Sequence, residues 1–395
     1  MTGRRTTVLS DLALVGPELT QAERPCILVE DGVILDILTR GAFEEIRDSV
    51  DVIDLGSRTL LPGLFECHNH LALDARLPGH LGMMGLSEAE HTVLALNGLH
   101  DDLMSGVTTA RCMGDRYYLD VTMKRLIKEG KVEGPDLLVS GIGMKAAHGH
   151  GFVGLPHSGV EEFRKTAREN MFRGVDHLKI FMTPGAPAKS ETDFIPCYLT
   201  REEVATVVQE GRSVGIPATA HCIGGQGLDL CIEEGVYVID HLYSVTEKQV
   251  HRLETEFDGW VDMTSGIVLD PEREPYLSEA SVAGLRAARE YSRACMNRIY
   301  SSGKIRFTIG TDANHGLLWK ELLFAEQGGA SRKTALKAVT VNAAEMCGVG
   351  NSKGRIAPGY QADLIAVSGN PLEDLSALSQ VPFVMKRGTA VKTPA

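Results

Sequence analysis

His68 and His70 close the apolar run LLPGLFECHNH, and a spacing of two on an extended strand turns both imidazoles to one face. Neutral imidazoles on one face form half of a divalent-metal site, although a lone H-x-H pair also arises by chance. Four more groups stand near the ends of other short apolar runs: Lys179 in HLKIFMTPG, His221 in IPATAHC, His241 in VYVIDHL and Asp312 in RFTIGTDANHG. A lysine inside an apolar strand needs a partner or a lowered pKa, unless it escapes to solvent at the strand end. Once deprotonated it can capture carbon dioxide, and the resulting carbamate is an oxygen ligand able to bridge two metals. Asp312 also suits turn or helix-capping chemistry, which is common for Thr-Asp at a strand end. Each member is weak evidence alone; five strand ends that all present metal-competent groups are strong evidence together.

The elements that must position these groups follow from the texture of the chain. Between roughly Leu60 and Val349, eight apolar strand candidates alternate with helical stretches: LLPGLFECHNH, VTTARCMG, DLLVSGIG, HLKIFMTPG, IPATAHC, VYVIDHL, GWVDMTSG and RFTIGTDANHG. Capping-box patterns at Ser87/Glu90, Thr200/Glu203 and Thr246/Gln249 mark helix starts. Eight β-then-α units are the count of a (β/α)8 TIM barrel, whose active site lies where the strands end. Both chain termini read instead as short strands and turns, in TTVLSDLALVG, PCILVEDGVILDIL and SVDVIDLGSRTLLPG at the start and in GRIAPGYQADLIAVSGNPLEDL and VPFVMKRGTAVK at the end. The expected fold class is therefore α/β: a barrel over 63–352 beside a small β-sandwich built from 1–62 and 353–395. A doubly wound sheet with β extensions is the alternative.

Composition limits the partners. The 395 residues include 40 basic and 52 acidic side chains, a formal net charge of -12. Nucleic acid and anionic membranes, which require a basic footprint, are poor candidates. Eight scattered cysteines without a C-x-x-C pair read as reduced thiols, and no run approaches the ~18 apolar residues of a membrane span. With no secretory signal read at the start, the expectation is a soluble, cytoplasmic enzyme acting on a small molecule as a homo-oligomer.

The H-N-H pair with Lys179, His221, His241 and Asp312, preceded by LPGLFECHNH and followed by GRIAPGYQADLIAVSGNPL, resembles the amidohydrolase superfamily over essentially the whole chain. Within it, the chain is most similar to the branch of imidazolonepropionase-like and Xaa-Pro or Xaa-Arg dipeptidase-like enzymes. The resemblance implies two divalent metal ions, zinc by default. His68, His70 and Asp312 would hold one and His221 and His241 the other, with a carbamylated Lys179 and a hydroxide between them. It implies hydrolysis of an amide-type C–N bond, in an N-acyl amino acid, a dipeptide or a cyclic amide, with Asp312 as catalytic proton shuttle.

The substrate-binding candidates are His148, His150 and Arg111. His150 matches by position a histidine that follows T-G-G in related enzymes and polarises the substrate carbonyl; here the run is A-H-G-H, so either histidine could serve, and a loop of solvated histidines is the alternative. Arg111 either holds an anion at the barrel mouth or pairs with Asp115 or Asp120. Dipeptidase-like relatives often carry Tyr two residues beyond the fifth-strand histidine, where Ile223 stands here. The C-I-G-G-Q-G run after His221 reads as a turn, with a backbone N–H nest for a substrate carboxylate as the alternative. His80, His91, His100, His157, His177 and His251 read as surface or capping residues, and His315 as pocket lining or a helix cap. A deaminase of the same superfamily is the rival reading, but it usually takes one metal and a glutamate where Gly224 stands, and usually lacks the lysine. A non-catalytic scaffold is the third reading, weakened by the full set of candidate ligands.

Overall fold

The computed structural model describes residues 5–394. Its centre is a ring of parallel strands in chain order, which we number β1 (Leu64–Asn69), β2 (Val107–Cys112), β3 (Asp136–Leu138), β4 (Leu178–Phe181), β5 (Ala218–Gly224), β6 (Val238–Ser244), β7 (Trp260–Met263) and β8 (Phe307–Ile309). Pairing runs β3–β2–β1 in one sheet and consecutively from β4 to β8 in another. Two seams join the sheets. At the first, the Asp176 N–H donates to the Val139 carbonyl at 2.8 Å, and Met144–Ala146, which extends the path of β3, pairs with β4. At the second, the Asp312 N–H donates to the His68 carbonyl at 2.9 Å, and the Thr311 N–H donates to the buried Glu66 carboxyl at 2.9 Å. The ring with its intervening helices has the arrangement of a (β/α)8 barrel.

The sequence explains these elements locally. β1, β2, β5 and β6 bury every residue, as parallel strands covered on both faces do. All three capping boxes form, opening helices Glu88–Met104, Arg201–Arg212 and Glu247–Thr255. The run DLLVSGIG yields only the three residues of β3. Beyond them the Ser140 and Gly141 N–H groups donate to the Asp120 carboxylate at 3.0 and 2.8 Å, which withdraws them from the strand ladder.

The two chain ends meet in one sheet. Leu364–Ser368 pairs antiparallel with Arg58–Pro62 inside a six-stranded sheet, and a four-stranded sheet places Arg5–Leu9 between Cys26–Glu30 and Asp51–Asp54. Val8, Ile27 and Ile34 of one sheet share a core with Leu60, Leu364 and Phe383 of the other. Residues 1–4 and 395 of the expected sandwich lie outside the described residues. The tail is tied to the ring by Asp136 on β3, which meets Lys353 at 2.9 Å and Lys386 at 2.8 Å. Burial pushes the Asp136 carboxyl up, but the two lysines outweigh it and hold it well below the usual range. All eight cysteines are free thiols, and no helix among the described residues is long and apolar enough to cross a membrane.

Gly310 follows β8 where the ring closes. A Cβ there would lie 2.4 Å from both the His68 Cβ and its backbone nitrogen, and 2.7 Å from the Glu66 Oε1. Gly310→Ala should therefore push β8 off β1, costing about 1–3 kcal/mol as overpacking does. A thermal melt should show a lowered midpoint, and an unchanged one would mean that the seam yields freely.

Candidate metal centre

The strand ends bring His68, His70, His221, His241 and Asp312 to the wall of one cavity of about 760 Å³. Ring centroids are 4.7 Å apart for His68 and His241 and 4.4 Å for His221 and His241. The Asp312 Oδ1 lies 3.6 Å from the His68 Nε2 and 3.4 Å from the His70 Nε2. Candidate ligand atoms of His68, His241 and Asp312 all fall within 4.8 Å of one another.

Protein partners fix which ring nitrogen is free. The His70 Nδ1 is 3.0 Å from the Gly114 carbonyl, which can only accept, so the proton sits on Nδ1 and Nε2 keeps its lone pair. By the same logic the His221 Nε2 donates to the Pro184 carbonyl at 3.1 Å and leaves Nδ1 free. The His241 Nδ1 lies 2.8 Å from the Thr264 hydroxyl and 3.3 Å from that of Tyr243. The His68 Nδ1, otherwise without a hydrogen bond, faces the Asp262 Oδ2 at 3.4 Å. Burial pushes the pKa of all four histidines down, so they are neutral imidazoles with an available nitrogen. This donor set fits zinc or a similar divalent ion.

Lys179 stands behind the cavity wall, wholly buried, and donates to the Asp240 carboxylate. Burial pushes its ammonium pKa down against the pull of Asp240. Asp240 and Asp262 carry carboxyls that burial pushes up, Asp262 to about 7. Both sit in otherwise apolar strands, in VIDHL and WVDM, which is the signal that marked Lys179; the sequence reasoning passed over them. Backbone strain also collects here, with positive φ at His241 (80°), Leu242 (50°), Asp312 (54°) and Ala313 (72°).

The other sequence candidates divide. His148 and His150 line the cavity; the His150 ring lies 4.8 Å from that of His221, and burial lowers its pKa to about 4. Arg111 does not reach the mouth. It is buried inside the ring, its guanidinium donating to the Thr219 hydroxyl and approaching the Met113 sulfur at 3.7 Å. Neither Asp115 nor Asp120 pairs with it: their carboxylates accept backbone N–H groups, from Leu71 and Ala72 and from Val121, Ser140 and Gly141. The strand's alternation turned Arg111 inward, toward Asp240 and Asp262. Gly224 and Gly225 make a strand-to-helix turn outside the cavity lining. His80, His91, His157 and His177 are buried rather than superficial, and His80 lines the cavity. Tyr243 and Arg273, not singled out in the sequence, line it too.

A sequence model described as the Amidohydrolase family matches residues 59–391. Ochratoxinase of Aspergillus niger is 26% identical over 371 residues, spanning 85% of this chain and 76% of its own. An imidazolonepropionase of Picrophilus torridus is 21% identical over 382 residues, 91% of this chain and 88% of its own. Among solved structures, a Xaa-Pro dipeptidase with bound methionine in the active site superposes with a TM-score of 0.82 at 24% identity, over 98% of this chain and all (100%) of that one. The A. niger ochratoxinase structure superposes with a TM-score of 0.86 at 22% identity, over 100% of this chain and 97% of that one. At these identities the structures establish a shared fold.

One buried charge pair braces the ligand strands from outside the cavity. The His315 Nδ1 lies 2.9 Å from the Asp102 Oδ2 and its Nε2 3.0 Å from the Leu73 carbonyl, so both nitrogens must donate and the ring is an imidazolium. His315 thus neither lines the pocket nor caps a helix. Asp102 also accepts from the Asn69 amide at 2.7 Å, between the two strand-end histidines, and from the Gly316 N–H at 3.0 Å. Burial pulls the His315 pKa down, but the charge and hydrogen bond of Asp102 outweigh it and raise the value above the ordinary 6.5. A raised folded-state pKa stabilises fully below the unfolded value and loses that stabilisation as pH rises through the folded one. The melting-temperature gap between wild type and His315→Gln should therefore be widest below the ordinary histidine value of about 6.5 and narrow as pH rises through the higher folded-state value. A gap that widens with pH would contradict a cationic His315.

Proposed function

Because this chain belongs to the amidohydrolase family, we propose that it is a binuclear metal-dependent hydrolase of an amide-type C–N bond in an N-acyl amino acid, a dipeptide or a cyclic amide. The observation that carries this reading is the meeting of four neutral imidazoles and one carboxylate on a single cavity, each imidazole with one nitrogen free. The relatives, an ochratoxinase, an imidazolonepropionase and a Xaa-Pro dipeptidase, support the same bond class. In this reading residues 63–352 form the catalytic barrel, and 1–62 with 353–395 the sandwich.

His68, His70 and Asp312 would hold one ion and His221 and His241 the other, with a carboxylated Lys179 as a further oxygen ligand. When bound, two zinc ions would acidify a shared water and polarise the amide carbonyl. The chain does the rest. Asp312 takes a proton from the attacking water and delivers it to the departing nitrogen, so that amide and water leave as carboxylate and amine. His150, uncharged near neutral pH, donates a hydrogen bond to the carbonyl oxygen as it gains charge. Burial favours the free amine of Lys179, which adds carbon dioxide as a carbamate; Asp240, whose carboxyl burial pushes up, can take the released proton.

Chelation should abolish amine release, and zinc, manganese or cobalt should restore it; metal analysis should find about two ions per chain, as the ligand count requires. Turnover by a verified metal-free preparation would end the reading, and one ion per chain would favour the deaminase. Lys179→Ala should lose the paired metals and the activity while the circular-dichroism melt stays cooperative, and retention of both ions with normal turnover would make the lysine structural. Asp312→Asn keeps an oxygen but loses the base, so kcat should fall by about 10²–10⁴. A normal kcat with full metal content would place proton transfer elsewhere.

A further inference from the structure

The cavity wall carries a cation that forms no ion pair with a carboxylate among the described residues. Arg273 lies on the short turn Pro271–Tyr276 beyond β7 and lines the cavity that His68, His221 and Asp312 share. It is only 8% exposed. One Nη donates to the Ile267 carbonyl, the Nε has no partner, and Arg273 enters no ion pair among the described residues. Met84, Ile267, Leu277 and Leu285 line the same cavity.

The nearby acids are engaged elsewhere. Asp270 accepts from the Lys320 ammonium at 3.0 Å and from the Glu272 N–H at 2.9 Å. Glu321 accepts the Gly266 N–H at 2.8 Å, and burial raises its carboxyl to about 8, so near neutral pH it is uncharged. The Tyr243 hydroxyl donates to the Thr264 carbonyl at 2.9 Å. Asp312 is committed to the metal in the reading above. Arg111 makes the contrast: also buried, it faces Asp240 and Asp262 inside the ring. A guanidinium does not shed its proton, and an unpaired buried charge is costly, so Arg273 is set for an anion from outside.

We propose that Arg273 binds a carboxylate of the substrate and is the residue that restricts this enzyme to carboxylate-bearing amides. The inference rests on the hydrolase reading only in that the cavity receives an amide. A guanidinium can meet a carboxylate with two parallel N–H donors, which fixes orientation as well as affinity. The substrate would then be held at two points, the carboxylate on the turn after β7 and the scissile carbonyl at the strand ends.

The test measures binding, so it is separable from turnover. Calorimetry on the metal-loaded protein would compare N-methanesulfonyl amino acids with twins lacking the carboxylate, such as N-methanesulfonyl-L-leucine and N-isopentylmethanesulfonamide. Neither compound contains a hydrolysable amide. Wild type should bind the acids about 10- to 100-fold more tightly than their twins, the range of a hydrogen bond to a charged group. Arg273→Gln should abolish that preference while leaving affinity for the twins and metal content within about twofold, and Arg273→Lys should keep part of it. If Arg273→Gln fails to fold, the lysine variant, which keeps the charge, decides by whether its preference falls below that of wild type. Equal affinity of wild type for acids and twins across the panel, or an undiminished preference in both variants, would overturn the proposal. Failure of the hydrolase reading shows elsewhere, as no amine release from ordinary amides by protein with a full metal complement.

Discussion

The structure depends on the burial of opposite charges at the centre of the strand ring. Lys179 and Arg111 share the interior with Asp240 and Asp262, all of them removed from water. Taking one such ion out of water costs several kcal/mol even after relaxation, so none of these side chains is tolerable singly. Together they set the state of the ligands above them: the carboxylates stand at 3.4 and 3.8 Å from the His68 Nδ1 while burial keeps the imidazole neutral. Two divalent cations and a carbamate would alter this balance in opposite directions. The added positive charge would fall where Asp240, Asp262 and Asp312 place their carboxyl groups, and a carbamate would replace an ammonium with another anion. In the proposed reading, metal binding and lysine carboxylation would therefore support one another electrostatically.

A second constraint is geometric. A regular strand sends successive side chains to opposite faces, yet β6 must aim His241 at the cavity while Asp240, its neighbour, holds Lys179. The backbone meets both demands by leaving the β region: His241 and Leu242 take positive φ, and the pairing of β5 with β6 shifts register between Cys222 and Gly224. Asp312 and Ala313 do the same after β8, where the Asp312 N–H is anchored to the His68 carbonyl. Non-glycine residues in this region carry strain of order 1–3 kcal/mol each, which the seam hydrogen bonds must hold in place.

These two constraints explain what could be read from the sequence. The eight strands and three capping boxes were legible because period, capping residues and apolar runs are local signals. The convergence of the strand-end histidines and Asp312 on one cavity, and the placement of Lys179 behind it, were legible because a polar group inside an apolar run is costly and so is placed for a reason. Asp240 and Asp262 sent that signal too, but an acid within a strand has more ordinary explanations than a lysine. Arg111 was misplaced because strand alternation says which face a side chain takes, and not how far along the ring axis it reaches. His315 was missed as a buried imidazolium because its partner, Asp102, lies on a helix more than two hundred positions earlier, a separation of 213. No local pattern marks Arg273, which sits in the turn PEREPY; only the three-dimensional accounting of its partners singles it out.

The division between strands and turns suits the chemistry proposed here. Metal ligands tolerate little displacement, and the proposed ones sit on strand ends, where Gly114, Pro184 and Thr264 hold the ring nitrogens of His70, His221 and His241. Recognition groups must differ between enzymes of one fold, and they sit on connecting segments: His148 and His150 after the third strand, Arg273 after the seventh. Loop placement carries a risk, since a mobile cation would recover its hydration instead of waiting for a ligand. Arg273 avoids this because Asp270 caps its own turn through the Glu272 N–H and is itself tied to Lys320, while the Ile267 carbonyl holds the guanidinium. A turn stiffened in this way keeps the charge desolvated before substrate arrives, so the attraction to a carboxylate is not spent on ordering the arginine.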